Sequence, residues 1–273
     1  MNSFHELARN HYENFPVGSW FIPKKYREVI HLVYAYARVA DDIADEGSDS
    51  SLQRIEKLHE WEQLLVESVA GKPADDFFVR LTVGIESFHL PVHHFQDLLA
   101  AFRKDAENLS YETFDDVLGY CHYSANPIGR LMLAIFNCST EETIRLSDNI
   151  CTALQLANFW QDISVDTRRN RFYIPLVELK EHGLCLNDLS TGEHRPAFQK
   201  LMKLQIERTE KLFEEGKPLV NLVPKDFRGE LKLIWHGGMR VLEKIKKINY
   251  DTRMVRPSLT YSDKALTLVR AGV

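Results

Sequence analysis

From Lys24 to Glu46 the apolar residues Val29, Ile30, Val33, Tyr34, Ala37, Ala40 and Ile43 recur at helical spacing, with Pro23 before them and Gly47 after. Proline suits the first turn of a helix and glycine the residue just past its end, so this segment predicts one long helix. A second helix is predicted over Ser51 to Ala70, with Leu52, Ile55, Leu58, Leu65 and Val69 on its inner face and Gly71 and Pro73 as its stop. Helices over 75–88 and 92–109 follow. Thr113 and Asp116 have capping-box spacing and start a helix through Asn137, which Pro127 should bend by removing a backbone bond. Ser139 and Glu142 repeat the box and open a segment to about Arg168 without glycine or proline, roughly 30 residues and about 45 Å at helical rise. Beyond it the pattern predicts an extended stretch over 171–175, a short helix over 176–182 closed by Gly183, and amphipathic helices over 197–215 and 225–248. No linker, repeat or shift in composition divides the chain, which predicts one all-α domain.

Composition agrees with that pattern. Thirteen glycines and 10 prolines among 273 residues are few for a chain of many short strands and turns. A hydrophobic fraction of 44% and a charged fraction of 27% exclude disorder, collagen and a polytopic membrane protein. The net charge of −5 gives no electrostatic footprint for nucleic acid, so no nucleic-acid partner is expected. Cys121, Cys138, Cys151 and Cys185 form no CxxC and no zinc spacing, and read as reduced packing residues of a cytoplasmic protein. Residues 1–14 lack the pattern of a secretory signal, and no stretch approaches the roughly 20 apolar residues of a spanning helix.

The chemistry lies in two polar stripes. Tyr34, Arg38, Asp41 and Asp45 fall on one face of the first helix, inside a segment otherwise apolar enough for a core. Like charges four apart repel, and Asp near a helix C-terminus opposes the macrodipole, so local stability does not account for them. Gln155, Asn158, Asp162 and Asp166 share a face of the long helix, bordered by Leu154, Leu156, Ala157, Phe159, Trp160 and Ile163. Four carboxylates withdrawn from water without compensation would cost several kcal/mol each, roughly the whole stability of a domain. A divalent cation resolves the conflict, and oxygen-only ligands suit Mg²⁺, which binds through one or two carboxylates and substrate phosphates. Arg168, Arg169 and Arg171 follow as phosphate ligands. The residues thus point to a diphosphate held through Mg²⁺, with the apolar and aromatic setting suited to an isoprenoid tail and a carbocation.

YAYARVADDIAD at 34–45 and LQLANFWQDISVD at 154–166, followed by RRNRFYIP, resemble the two aspartate-rich motifs of the squalene and phytoene synthase family. NFPVGSWFIP at 14–23 and YCHYSANPIGR at 120–130 extend the resemblance over nearly the whole chain. It implies a single all-α isoprenoid-synthase bundle spanning 1–273 around a central apolar cavity, a prenyl diphosphate substrate and Mg²⁺. Carried over to these positions, Asp41, Asp45, Asn158, Asp162 and Asp166 are implied metal ligands. Tyr34, Arg38, Gln155, Asn158, Arg171, Tyr173 and Asn14 are implied substrate contacts, and Tyr120 a catalytic cavity residue. The resemblance also implies peripheral membrane contact and functional coupling to other squalene-pathway enzymes.

HYENFP at 11–16, SANPIGR at 124–130 and RPSL at 256–259 resemble the bacterial hydroxysqualene synthase branch of hopanoid pathways. That branch implies a carbon–oxygen lyase that ionises presqualene diphosphate and quenches the rearranged cation with water. Asn14 stands where coupling synthases usually carry Ser, and Gly237-Gly238 falls where many relatives have an aromatic. The alternatives are a transferase coupling two farnesyl or geranylgeranyl diphosphates, a terpene cyclase, or a catalytically silent assembly protein. A cyclase typically has Ser or Thr at the position of Asp162, and a silent relative should lose the carboxylates kept here. No GxGxxG is present for a nicotinamide. His11, Tyr12 and Glu13 suit either a lid contact or substrate binding. Asn126 and Pro127 could position water or satisfy a bent backbone. His31, His59, His89, His93 and His94, without an acidic partner at metal spacing, read as surface or packing residues, and Trp20, Phe21, Phe159 and Trp160 as core.

Overall fold

The computed structural model describes residues 22–45, 47–107 and 109–272. Among these there are helices and loops but no strand. The helices are α1 (Lys24–Asp45), α2 (Ser51–Val69), α3 (Asp76–Ser87), α4 (Val92–Ala106), α5 (Phe114–Ser124), α6 (Asn126–Ile135), α7 (Glu141–Asp166), α8 (Leu176–Glu181), α9 (Leu186–Thr191), α10 (Arg195–Gly216), α11 (Leu219–Leu222), α12 (Lys225–Lys247) and α13 (Tyr261–Ala271). They form two compact units interleaved in sequence. The first takes the chain up to Glu107 with Pro127–Ile144 and Val223–Glu230, and the second Asn108–Asn126, Arg145–Leu222 and Leu231 onward.

In the first unit α1 packs against α2, α3 and α4. Its buried side is Val29, Ile30, Leu32, Val33, Ala35, Tyr36, Ala40 and Ala44. Tyr36, not Tyr34, enters the core, stacked on Trp61 at 5.5 Å and meeting Phe95 edge-on at 5.2 Å. The C-terminus of α1 is tied down by Arg54 of α2, which donates to the carbonyl of Ala44 in its last turn and to that of Gly47 just beyond it. On α2 the expected inner face is corrected at its ends: Leu58 and Leu65 are buried, but Leu52 is 80% and Val69 40% exposed, and at the C-terminal end Ser68 is the buried residue instead.

Two boundaries also differ from expectation. The helix predicted over 113–137 is two helices, broken at Ala125 (φ −123°, ψ −45°). Pro127 therefore sits in the first turn of α6, where a missing N–H costs nothing. The Thr113–Asp116 capping box forms as predicted. The box expected at Ser139 and Glu142 lies one residue on: Thr140 and Thr143 exchange backbone-to-hydroxyl bonds of 2.8 and 3.1 Å. A threonine hydroxyl does here what a glutamate was expected to do.

The second unit is organised around α7. Trp160 is fully buried and donates to Thr209 of α10 at 2.9 Å, and Trp235 of α12 donates to the Phe213 carbonyl at 2.8 Å. Helices approach closely at two glycines. A Cβ on Gly216 would lie 2.5 Å from Ile150, and one on Gly238 2.3 Å from Phe213. The pattern missed α9, α11 and α13, which are short or polar-faced. α13 has its own capping box, Thr260 with Asp263, and Asp263 also takes Arg240 at 2.6 Å and Lys244 at 2.5 Å. Of the cysteines, Cys121 is buried, Cys138 and Cys151 are half-buried, and Cys185 is exposed at the N-cap of α9 rather than in the core. No described helix is long and apolar enough to cross a membrane.

Candidate active site

On α1 the first stripe lies on the partly exposed side of the helix. Tyr34, Arg38, Asp41 and Asp45 stay partly exposed while Val33, Ala35, Tyr36, Ala40 and Ala44 around them are buried. Arg38 pairs with both Asp41 (2.7 Å) and Asp42 (2.6 Å), three and four residues on. This corrects the expectation that nothing local offsets the acidic run. The offset is incomplete. Burial first, then the charge of Asp45, pushes the Asp41 carboxyl up to about 7, with Asp105 and Asp42 adding and Arg38 opposing. Asp105 is a buried residue of α4 that the linear pattern did not single out. Asp41 is thus set among the carboxylates of Asp42, Asp45 and Asp105, its own charge disfavoured mainly by burial. An oxygen-only donor set in that condition fits a divalent cation.

On α7 the contrast is sharper. From Ile150 to Ser164 the positions not fully buried are Cys151, Gln155, Asn158 and Asp162, at helical spacing, and Asp166 continues the line. Every other side is taken up by packing. Asp162 is held by Arg256, whose Nε donates to Oδ1 at 2.5 Å and whose Nη2 donates to Oδ2 at 3.3 Å. Nothing in the linear pattern beyond the RPSL motif points to this partner. After α7 a 3₁₀ turn, Thr167–Arg169, ends in left-handed Asn170 (φ 58°), and the Arg171 N–H donates to the Asp166 carbonyl at 2.9 Å. That tight return carries Arg171 back beside Asp166. Arg168 and Arg169 stay exposed.

Asp166, Arg171 and Tyr173 line one crevice, with Phe159, Trp160 and Ile163 as its apolar wall. Tyr173 lies flat on Phe159, ring centroids 3.7 Å apart at 7°. Tyr120 is 5.8 Å from each of these rings, and Tyr111, absent from the sequence reading, stacks on Tyr173 at 5.9 Å. Backbone bonds from Leu176 and Val177 to Tyr111 and Glu112 brace the segment that presents Tyr173. A carboxylate, a guanidinium and an electron-rich aromatic wall are thus adjacent, the groups a departing anion and a carbocation would need.

Other expectations are met or corrected as follows. Asn126 is buried and accepts from the Thr152 hydroxyl at 3.0 Å, a bond that braces the helix break. His94 does have an acidic partner, Asp97 at 3.4 Å, and with His93 forms a group compact enough for an ion. Burial and then His93 hold its pKa below the usual value, and the expectation that His94 lacks an acidic partner is corrected. The similar group of Asp188, Glu193 and His194 is a cap: the Cys185 N–H and then His194 hold the Asp188 carboxyl down at about 2. Asn14, His11, Tyr12, Glu13, Trp20 and Phe21 lie outside the described residues.

The squalene/phytoene synthase profile matches residues 8–263. A hydroxysqualene synthase of Rhodopseudomonas palustris is 38% identical over 217 residues, 79% of this chain and 73% of the relative. One from Sinorhizobium fredii is 35% identical over 222 residues, 81% of this chain and 74% of the relative. Among solved structures, squalene synthase HpnC from Alicyclobacillus acidocaldarius superposes with a TM-score of 0.85 at 38% identity, covering 91% of this chain and 93% of that one. The acidic helices, the crevice and these similarities agree, and the chain belongs to the squalene/phytoene synthase family.

Proposed function

We propose that this isoprenoid synthase converts presqualene diphosphate to hydroxysqualene. The observation that carries the proposal is the one open polar stripe of a buried helix, Gln155 to Asp166, ending beside Arg171 and the Tyr173–Phe159 stack. The named relatives at 38% and 35% identity support the choice of reaction. Asp41 and Asp45 on α1, and Asn158, Asp162 and Asp166 on α7, are the oxygen donors for Mg²⁺. When bound, the ion supplies Lewis acidity that stabilises charge on the leaving diphosphate. Arg171 binds phosphate oxygens, joined by Arg38 and Tyr34, while Gln155 lines the same helical face. The carbon–oxygen bond of the ester breaks and its electron pair leaves with the diphosphate. Tyr120, Phe159 and Tyr173 form the aromatic wall beside which the carbocation is stabilised. Water then supplies the hydroxyl oxygen, forming the new carbon–oxygen bond, keeps one hydrogen and releases the other as a proton to solvent.

The test is purified protein with presqualene diphosphate and Mg²⁺ in H₂¹⁸O. Heavy oxygen in hydroxysqualene, with no squalene on adding NADPH, is the expected result. A second reading, coupling of two farnesyl diphosphates, draws on the squalene synthase name of the solved relative. Consumption of farnesyl diphosphate to a coupled diphosphate, or squalene rising with NADPH, would establish it in place of the first. A catalytically silent protein would release no diphosphate in either assay.

A further inference from the structure

Both oxygens of Asp162 are engaged by a cation of the chain itself. Arg256 reaches it from 94 residues away, and the pair is partly buried, the side chains 28% and 25% exposed. The segment bearing Arg256 is fixed on both sides. Arg253 has a fully buried side chain that donates to the carbonyls of Asp188 (2.9 Å), Glu193 (2.5 Å) and Gly192 (3.1 Å) and lies 4.2 Å over the Phe198 ring. On the other side, buried Gln161 donates to the Pro257 carbonyl at 2.5 Å. Adjacent residues of α7, Gln161 and Asp162, therefore hold adjacent residues of the segment, Pro257 and Arg256. Met254 and Val255 between the anchors are exposed, at 64% and 59%. The backbone is clamped, so the guanidinium can leave Asp162 only by side-chain rotation.

We infer that Arg256 is a built-in substitute cation: it occupies Asp162 in the metal-free enzyme and must be displaced for a divalent ion to bind there. The inference rests on the reading of Asp162 as a metal ligand given above. Guanidinium is protonated at every working pH and its fork matches a carboxylate on two oxygens. Mg²⁺ needs direct contact with a carboxylate oxygen at about 2.1 Å, and two cations repel at such range. The arrangement relieves repulsion between Asp162 and Asp166 when no ion is present, and it weakens adventitious metal binding. Arg256 is thus a positioning residue that sets metal affinity through Asp162.

The test is a titration with Mn²⁺ alone, free ion followed by electron paramagnetic resonance, on the full chain. Arg256→Gln should bind Mn²⁺ roughly twofold to fivefold more tightly than wild type, the range a part-exposed ion pair corresponds to. Asp162→Asn should bind more weakly, and the double variant should match Asp162→Asn, because the effect of Arg256 on the ion runs through that carboxylate. Equal or weaker binding by Arg256→Gln, with Asp162→Asn still impaired, would overturn the inference and leave the metal reading intact. Wild-type binding by Asp162→Asn would overturn the metal reading itself, and the inference with it. Should Arg256→Gln fail to fold, Arg256→Lys carries the test: a single ammonium in place of the fork should give an affinity above wild type, and one at or below it would overturn the inference.

Discussion

Asp41 shows how a single residue records the conflict between folding and function. Its carboxyl is pushed up to about 7 by burial and by the charge of Asp45. A carboxyl with a raised folded pKa binds an extra proton in the native state between about pH 4 and 7, so its effect is to lower stability as pH rises through that window. Asp41→Asn should remove this slope: variant and wild type should melt together near pH 4, and the variant should melt higher at pH 7.5 without metal. Equal melting temperatures across the range would show that Asp41 is not strained. Asp263 has the opposite sign. Desolvation works against its charge, but bonds from Lys244, Thr260 and Arg240 prevail and hold the carboxyl far below its usual range. Its contribution is present above about pH 4 and is lost as pH falls below it. Asp263→Asn leaves Arg240 and Lys244 without their buried partner and should cost about 3 kcal/mol in urea unfolding at pH 7.

At the scale of elements, the site depends on how tightly α7 is enclosed. Gly238 of α12 lies where a Cβ would come within 2.3 Å of Phe213 and 2.9 Å of Leu154, next to Gln155. Phe213 is fully buried and Trp235 bonds to its carbonyl, so the ring has nowhere to go. Gly238→Ala should therefore destabilise by about 1–3 kcal/mol despite the better helix propensity of alanine. Gly237, one residue earlier, has nothing within 4 Å of its would-be Cβ. Gly237→Ala should hold stability or raise it by about 0.5–1 kcal/mol. Equal effects at the two positions would contradict the close approach of α12 to α10. The same enclosure explains the departure from the aromatic expected there: one glycine is required by packing, and the other borders open space.

For the whole molecule, the proposed reaction needs metal and diphosphate together. Mg²⁺ keeps several waters and binds best when phosphates complete its shell, so Mg²⁺ with inorganic diphosphate should raise the melting temperature more than either alone. Asp166→Ala, which removes the carboxylate beside Arg171, should abolish that increment. Persistence of the full shift in the variant would place the ligand elsewhere. Turnover of Asp41→Asn and Asp162→Asn should fall about 100-fold or more, since each removes an electrostatic support of the leaving group.

Local signals alone determined much of this protein. Periodicity marked α1 and α7 because each is long enough for many turns to repeat one pattern. The same repeat set four polar side chains in line on each helix, and helical geometry makes that line a face wherever the helix lies. The Thr113–Asp116 box was legible because capping is a contact between near neighbours. Tertiary structure decided what depends on residues far apart in sequence. Tyr36 rather than Tyr34 became core because Trp61 and Phe95 meet it. Asp105 joined the first acidic stripe from α4, and Tyr111 joined the ring wall through a loop. Arg256 reached Asp162 only because Arg253 and Gln161 clamp the segment between them. Spacing along a helix fixes which residues can share a face, but the counter-charges and rings that such a face meets come from packing, and packing couples positions that no local period relates.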